Sequence, residues 1–287
     1  MKDIRHRTLD CGEVRLHCAE AGPPSGPLVL LLHGFPEHWI TWRKQIPALA
    51  QAGFHVVAPD LRGYGASDRP TGVREYGIEK LVADIAGLID ALGVSSAHLA
   101  AHDWGGLVAW HLAMWHPEKL GKLVILNIPH PERLKQGLRT LRQLRKSWYA
   151  LFFQLPVLPE RVLSAKDFHK LRNVFRWQPI EPYPQEQVEE IISALKQPGA
   201  LTAALDYYRA AARPLRRASE PIEKPVLVIW GERDAALGSE LAAPDPRWVK
   251  DVRLVRIPEA AHWVHADAPD QVNSLLLEFF RSPRRNA

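Results

Sequence analysis

The stretch LAAHDWGGLVAW, residues 99–110, places an aspartate where the chain turns from an apolar run into a helical pattern. Asp103 stands between Ala101 and Gly105, and a tightly turned nucleophile requires such small residues because its neighbours pack closely. A carboxylate at this point can displace a leaving group from saturated carbon and form a covalent ester. The alternative is that Asp103 only caps a helix, a position that aspartate favours. Partner groups elsewhere in the chain decide between the two.

Two further residues could complete a catalytic set with Asp103. Asp234 follows the apolar run VLVIWG, and His262 follows the run VRLVRI. A histidine whose second ring nitrogen is held by a carboxylate can take a proton from water. Nucleophile, acid and then histidine is also the chain order that accompanies a nucleophile elbow on an α/β sheet. We therefore predict Asp103, Asp234 and His262 as catalytic residues, with His265 as the second choice for the base.

Short apolar runs alternate with helical patterns around these residues. The predicted strands are 27–34, 54–60, 96–102, 122–127, 225–231 and 251–258, and the predicted helices are 38–53, 77–93, 105–120 and 270–280. This alternation indicates a mostly parallel sheet that is covered by helices on both faces. The opening VRLHCAEAG is typical of a hairpin at the sheet edge.

The alternation stops near Ile128, and residues 129–214 are rich in arginine, proline and aromatic residues, with helical patterns and no clear strand. We predict one α/β domain, residues 1–128 and 215–287, with a helical lid, residues 129–214, inserted between two strands. Such an insert would lie over the carboxyl ends of the strands, where open α/β sheets bind ligands. The basic run LRTLRQLRK, 138–146, is interpreted as a solvated helix face.

Two backbone amides are expected to bind an oxyanion. With a nucleophile elbow, one is the amide after the nucleophile, here Trp104, and the other lies in the loop after an earlier strand, here Phe35. Pro36 is expected to form a cis peptide with Phe35 that directs this amide inward. We expect Phe35, Pro36, Trp104 and the lid residue Phe153 to line the substrate pocket.

Composition and charge argue against several classes of function. The chain has 287 residues, of which 46% are apolar, and its 37 Lys and Arg exceed its 32 Asp and Glu, which gives a net charge of +5. The basic residues are dispersed and not interleaved with stacking aromatics, which argues against a nucleic-acid partner. The apolar runs are too short to span a bilayer, and the charged start MKDIRHRTLD lacks the apolar segment of a signal peptide.

The two cysteines, Cys11 and Cys18, have neither disulfide-framework nor metal-site spacing, and they indicate a reducing compartment. We therefore expect a cytoplasmic protein, a monomer or homodimer, with no metal, no cofactor and no membrane partner. Its partners would be a small substrate and water.

Several segments resemble the epoxide hydrolase branch of the α/β-hydrolase superfamily, the branch that also holds haloalkane dehalogenases. The resemblance extends over essentially the whole chain and is carried by HGFPEHWITWRKQIPALA, APDLRGYGASDRP, HDWGGLVAWHLAMWHPEKL, LNIPHP and AAHWVHADAP. It implies an α/β-hydrolase fold with a cap domain, and conversion of a hydrophobic epoxide to a vicinal diol. The implied intermediate is an alkyl ester on Asp103, which water activated by His262 and Asp234 hydrolyses.

Opening an epoxide creates an alkoxide, which needs a proton donor. The resemblance implies two lid tyrosines, and Tyr149 in WYALFFQLP and Tyr208 in LDYYRA occupy the matching positions. Tyr207 adjoins Tyr208, so the choice of the second donor stays open. The aromatic residues of the lid favour a hydrophobic substrate.

Two other functions remain as alternatives. A haloalkane or haloacetate dehalogenase could use the same nucleophile, with the indole N–H of Trp104 binding the departing halide. Haloalkane dehalogenases often have asparagine where this chain has Phe35. Haloacetate dehalogenases have arginines just beyond the nucleophile, where this chain has Trp104 and Leu107, and their acid at the position of Asn127, which leaves Asp234 as the acid here. A non-catalytic binding protein of the same fold is the second alternative, and the complete catalytic set argues against it.

Overall fold

The fold is known from a computed structural model, which describes residues 4–177, 183–214 and 217–283. Its centre is a sheet of eight strands: β1 (Arg5–Asp10), β2 (Arg15–Ala21), β3 (Leu28–Leu32), β4 (His55–Pro59), β5 (Ala97–His102), β6 (Leu120–Leu126), β7 (Val226–Gly231) and β8 (Val252–Ile257). They lie in the order β1-β2-β4-β3-β5-β6-β7-β8. The β1-β2 and β2-β4 pairs are antiparallel, and the other neighbours are parallel. The predicted mostly parallel sheet with an edge hairpin is therefore confirmed.

Helices cover both faces of this sheet. They are α1 (Gln45–Gln51), α2 (Ile78–Ala91), α3 (Asp103–Trp115), α4 (Pro131–Gly137), α5 (Leu141–Lys146), α6 (Trp148–Phe152), α7 (Leu158–Trp177), α8 (Gln185–Leu195), α9 (Ala200–Ala211), α10 (Val264–Asp267) and α11 (Pro269–Arg281). Short 3₁₀ turns occur at Trp39–Trp42, Val73–Tyr76, Pro117–Lys119 and Ser239–Leu241. None of the helices in the described part of the chain has both the length and the apolar character that crossing a bilayer requires.

The central strands are apolar along their whole length because both of their faces are buried. In β3, Leu30 and Leu32 belong to the cluster that contains residues of α2 and α3, while Val29 and Leu31 belong to the cluster that contains residues of α1 and α11. Successive side chains of a strand point to opposite faces, so each apolar run supplies both clusters. These strands form a rigid base whose carboxyl ends lie side by side.

One predicted helix is wrong in its extent. Residues 38–53 form the 3₁₀ turn Trp39–Trp42 and then α1, which begins at Gln45. Pro47 is thereby the third residue of α1, where the missing N–H has no partner to lose because the first turn of a helix leaves its amides unpaired. The predicted helix 105–120 likewise begins earlier, at Asp103, and ends at Trp115.

The segment between β6 and β7, which we call the lid segment, contains helices α4 to α9 and no strand among its described residues. Helix α7 is interrupted at 165–168, where Lys166, Asp167 and Phe168 have positive φ. Buried lid residues such as Phe153 and Tyr207 join the same apolar cluster as α2 and α3, so the segment packs on the sheet domain. The second predicted domain boundary falls at residues 215 and 216, which lie outside the described residues, and the division into domains stays a prediction.

Candidate active site

Asp103 occupies a sharp turn between β5 and α3. Its φ of +49° is the left-handed conformation that non-glycine residues avoid. A Cβ added at Gly34 would lie 2.4 Å from the Asp103 Cβ, and one added at Gly105 would lie 2.5 Å from the Leu32 carbonyl oxygen. Only glycine fits at these two positions, so close packing holds the carboxylate at the tip of the turn.

The structure brings the three predicted catalytic residues together. His262 Nδ1 lies 2.8 Å from Asp234 Oδ2, within hydrogen-bond distance. On the other side of the ring, His262 Nε2 lies 3.6 Å from Asp103 Oδ2. All three side chains are buried. The imidazole therefore lies between two carboxylates, the arrangement that a histidine base needs.

Strand order explains how residues far apart in the chain meet. Asp103, Asn127, Asp234 and His262 follow β5, β6, β7 and β8, which are consecutive in the sheet, and Phe35 follows the adjoining strand β3. Because these strands are parallel, the loops at their carboxyl ends lie along one edge, which is where open α/β sheets place ligand sites.

The charges of this group stabilise one another. Burial opposes a charge on His262, but the neighbouring Asp234 and Asp103 carboxylates outweigh it and raise the pKa of His262 to about 10. Burial also opposes the charge on each aspartate, yet the interactions with His262 lower the pKa of Asp103 and of Asp234 below the ordinary value. The two carboxylates therefore favour the protonated form of the His262 ring in the resting site.

Asn127 holds the side chain of Asp234, the predicted acid. Its Nδ2 donates to Asp234 Oδ2 at 2.8 Å, and its Oδ1 accepts from the Gly231 amide at 2.8 Å. The amides of Ala236 and Leu237 donate to Asp234 Oδ1 at 2.8 and 2.9 Å. Together with the His262 contact, these hydrogen bonds engage both carboxylate oxygens and hold the Asp234 side chain in one orientation.

Helix α5 of the lid segment contacts the backbone of the loop that carries the acid, a contact that sequence reasoning missed. The Gln143 amide donates to the Ala236 carbonyl at 2.9 Å and accepts from the Gly238 amide at 3.0 Å. Lys146 Nζ donates to the Asp234 carbonyl at 2.6 Å. Gln143 is fully buried, and its burial inside a basic run was not visible in the sequence. The lid segment thus helps to hold the acid loop.

The predicted oxyanion donors lie beside the Asp103 carboxylate. The Phe35 amide donates to Asp103 Oδ1 at 2.8 Å, and the Phe35–Pro36 peptide is cis, as predicted. Trp104 is the second residue of α3, where the helix leaves its amide without an intrahelical partner. Pro36 lines an adjoining recess with Tyr64.

Two lid tyrosines lie next to the nucleophile. Tyr149 on α6 and Tyr208 on α9 have ring centroids 6.0 Å apart, and the Tyr208 ring lies 5.0 Å from that of Trp104. Burial and then the charge of Asp103 raise the pKa of both phenols above the ordinary tyrosine value. Both hydroxyls are therefore protonated at neutral pH. Both also lie close enough to Asp103 for its charge to raise their pKa.

Tyr207 points elsewhere. Its hydroxyl donates to the Arg62 carbonyl at 2.7 Å, and its ring packs against Tyr64 and Tyr76. Phe153 instead contacts Phe35, at 5.7 Å between ring centroids, and Tyr208, at 5.0 Å. These positions favour Tyr208 over Tyr207 as the second donor and place Phe153 in the aromatic wall of the site.

His265, the second choice for the base, lies behind the site. Its Nε2 is 2.6 Å from Thr41 Oγ1, and burial lowers its pKa to about 3. Ligand atoms of His265, His102 and Glu37 lie within 4.8 Å of one another, the one set of possible metal ligands among the described residues. Burial raises the pKa of Glu37 to about 7, and its carboxyl accepts from the Tyr183 hydroxyl. Burial thus disfavours charge on both His265 and Glu37, and the prediction of no metal stays a prediction.

Comparisons with known proteins agree with this geometry. The sequence model of the alpha/beta hydrolase fold matches residues 27–269. The chain is 40% identical to an α/β-hydrolase superfamily protein of Bacillus subtilis, YfhM, over 98% of this chain and 100% of the relative. It is 38% identical to epoxide hydrolase 4 of Mus musculus, over 97% of this chain and 79% of the relative.

Solved structures give the same assignment. An epoxide hydrolase of Vigna radiata superposes with a TM-score of 0.86 at 31% identity, over 98% of each chain. A variant of an epoxide hydrolase of Bacillus megaterium, in complex with its diol product, superposes with a TM-score of 0.86 at 32% identity, over 96% of this chain and 100% of that one. The predicted fold class and family resemblance are confirmed. The chain belongs to the α/β-hydrolase family and is an epoxide hydrolase-like member of it.

Proposed function

We propose that this protein hydrolyses a hydrophobic epoxide to a vicinal diol through an alkyl ester on Asp103. The observation that carries the proposal is the pairing of two protonated lid phenols, Tyr149 and Tyr208, with a buried aspartate that lies 3.6 Å from the ring of His262. A carboxylate attacks saturated carbon, and phenols protonate the oxygen that leaves. The names of the relatives and structural neighbours support the same reaction.

In the first step Asp103 attacks an epoxide carbon. The Phe35 amide already binds Oδ1, which leaves Oδ2 to form the new C–O bond. The epoxide C–O bond breaks, and its oxygen takes a proton from Tyr149 or Tyr208. The lowered pKa of Asp103 keeps it ionised, and the raised pKa values of the phenols keep the donors protonated. Both partners are therefore in the required form at neutral pH.

In the second step His262 acts as a base. Esterification removes the charge of Asp103, and with it one of the two carboxylates that raise the pKa of His262. The imidazolium then gives up its proton more readily, passing it through water to the phenolate that the first step left behind. The neutral ring, oriented by Asp234, takes a proton from a second water. Formation of the ester therefore lowers the pKa of His262 at the step in which His262 must act as a base.

Hydroxide attacks the ester carbonyl carbon, and the Phe35 and Trp104 amides bind the oxyanion. The bond between the acyl carbon and the diol oxygen then breaks, and that oxygen takes the proton from the imidazolium. The carboxylic acid of Asp103 returns a proton to His262, which restores the resting charges as the diol leaves.

The lid segment, residues 129–214, would act as a cap in this reaction. It supplies the two proton donors, and the aromatic side chains of Phe35, Trp104 and Phe153 would line an apolar pocket with the adjoining Pro36. Excluding bulk water strengthens the electrostatic interactions within such a site. A hydrophobic epoxide and water are thus the proposed partners.

Dehalogenation is the second candidate, since Trp104 lies in the site and its indole could bind a halide. Asn127 supports Asp234 instead of supplying the acid, and no arginine stands just beyond the nucleophile, so a haloacetate has no clamp. A side-by-side assay separates the candidates: styrene oxide, a haloalkane and fluoroacetate are offered to the purified protein, and diol and halide release are both scored. Diol formation alone supports the proposal. Halide release without diol overturns it, and no turnover of any substrate supports a binding protein.

A further inference from the structure

Exposed apolar side chains are concentrated in one part of the lid segment. Nine large hydrophobic side chains of the described residues are exposed, and eight of them lie between residues 138 and 158. We call these eight the lid face: Leu138, Leu141, Leu144, Trp148, Leu151, Leu155, Val157 and Leu158. The most exposed are Leu141 at 73%, Leu151 at 66% and Trp148 at 62%. Single exposed leucines are ordinary, but a contiguous group marks an interaction surface.

The lid face is the outer side of the helices whose inner side serves the site. Leu141 and Leu144 lie on α5, Trp148 and Leu151 lie on α6, and within each helix the two are three residues apart, so they share one face of that helix. The intervening Gln143, Ser147 and Phe153 are buried, and Tyr149 packs against the site. The outer leucines therefore do not belong to the core of this chain.

Positive charge accompanies the lid face. Residues 138–158 contain Arg139, Arg142, Arg145 and Lys146 and no acidic residue, although the whole chain carries a net charge of only +5. Lys146 is directed inward to Asp234, and Arg142 lies 3.6 Å from a carboxylate oxygen of Glu240. Arg139 and Arg145 are exposed, and neither pairs with an acidic side chain in the described part of the chain. At least two cations are thus available to an outside partner.

We propose that the lid face docks on an anionic lipid surface. Tryptophan and leucine on one side of a short helical segment, with arginines beside them, form the composition of a segment that lies in the membrane interface. A second copy of this chain is a poorer occupant, because a twofold contact through the lid face would bring arginines against arginines. The sequence analysis predicted no membrane partner, and this proposal departs from that prediction for the lid face.

Docking would place the site beside the store of its substrate. Helix α6 carries Tyr149 on its inner side and Trp148 and Leu151 on its outer side, so a docked lid brings the pocket to the lipid in which apolar epoxides dissolve. This consequence for substrate supply rests on the proposed function. Lipid binding itself does not, and it is measured without turnover.

The test is co-sedimentation of the full chain with vesicles of phosphatidylcholine and phosphatidylglycerol, with pure phosphatidylcholine vesicles beside them. Wild type should bind the anionic vesicles and bind the neutral ones far less. The double variant Trp148→Ser, Leu151→Ser should lose about tenfold or more in the partition coefficient. The pair Arg139→Gln, Arg145→Gln should lose about twenty-five-fold, since each arginine near an anionic surface contributes roughly a factor of five.

Two controls keep the result interpretable. Val94→Ser removes the exposed apolar side chain that lies outside the lid face and should leave binding unchanged. Asp103→Asn should also bind the vesicles like wild type, because the substitution removes the proposed nucleophile and leaves the lid face unchanged. Circular dichroism melts confirm that each variant is folded. Absence of wild-type binding to anionic vesicles overturns the proposal, as does a wild-type dimer in sedimentation velocity that becomes a monomer in Trp148→Ser, Leu151→Ser.

Discussion

The carboxyl edge of the sheet and the lid segment contribute to one site in different ways. At the sheet edge, Asp103, Asp234 and His262 are buried and linked by hydrogen bonds and ion pairs at the carboxyl ends of β5, β7 and β8. In the lid, Tyr149 and Tyr208 stand on separate helices and are held mainly by aromatic packing. In this protein the charged side chains of the site lie on the rigid edge of the sheet. The predicted proton donors lie instead on lid helices whose outer face is exposed.

The largest effect is expected at the sheet edge. Asp103→Asn removes the attacking carboxylate and should lower the rate of diol formation by at least about a thousandfold. The measurement is steady-state turnover of styrene oxide, followed by chromatography of the diol. Asp68, a partly exposed aspartate that pairs with Arg15, provides the control, and Asp68→Asn should keep its activity. Substantial turnover by Asp103→Asn would mean that another group attacks.

The second largest effect on turnover is expected from substitutions in the lid segment. Tyr149→Phe with Tyr208→Phe should reduce epoxide opening by about a hundredfold to ten-thousandfold, the range of general acid catalysis. Tyr207→Phe is the matched control: it should leave turnover nearly unchanged and lower the free energy of unfolding by about 1 kcal/mol, because the buried Arg62 carbonyl loses its donor. If Tyr207→Phe is the variant that loses turnover, the proposed choice of donor is wrong.

The contact between the two regions should have a smaller effect. Gln143→Leu removes the two Gln143 side-chain bonds to the acid loop and leaves the Lys146 bond in place. It should lower kcat by roughly tenfold with little change in KM, since the acid is misplaced but the pocket is kept. Gln136→Leu, at an exposed glutamine of the lid, is the control. A change confined to thermal stability, with kcat intact, would show that Gln143 has only a structural role.

The smallest effect concerns stability against pH. The pKa of His262 is raised from 6.5 to about 10 in the folded protein. Its contribution to stability is therefore complete below pH 6.5 and is lost as the pH rises towards about 10. Urea unfolding at both ends of this window should show wild type losing at least about 1 kcal/mol more than His262→Gln. Equal losses in the two proteins would show that protonation of His262 does not contribute to stability in this pH range.

The sequence predicted the sheet and its edge better than the lid. Buried parallel strands are continuous apolar runs, so most strands were predicted to within one or two residues, and the loops after them contained Asp103, Asp234 and His262. Helix 38–53 was predicted too long because its apolar period continues through a break at Arg43 and Lys44.

What could not be predicted depends on tertiary contacts. Asn127 and Gln143 reach the acid loop from positions about a hundred residues away in the chain, and no local pattern marks them. Adjacent tyrosines on a helix point about 100° apart, so the choice between Tyr207 and Tyr208 required the packing of α9 on the sheet. The exposed leucines of α5 follow the same period as core residues, and only the fold shows that nothing covers them.

Trapping the alkyl ester on Asp103 is the most direct test of the covalent mechanism. His262→Gln is incubated with styrene oxide and examined by intact-mass spectrometry, followed by peptide mapping. We expect the protein to gain the mass of one substrate, carried on the peptide that contains Asp103, because attack proceeds while hydrolysis lacks its base. An unmodified His262→Gln protein, beside a wild type that forms diol, would contradict the covalent mechanism.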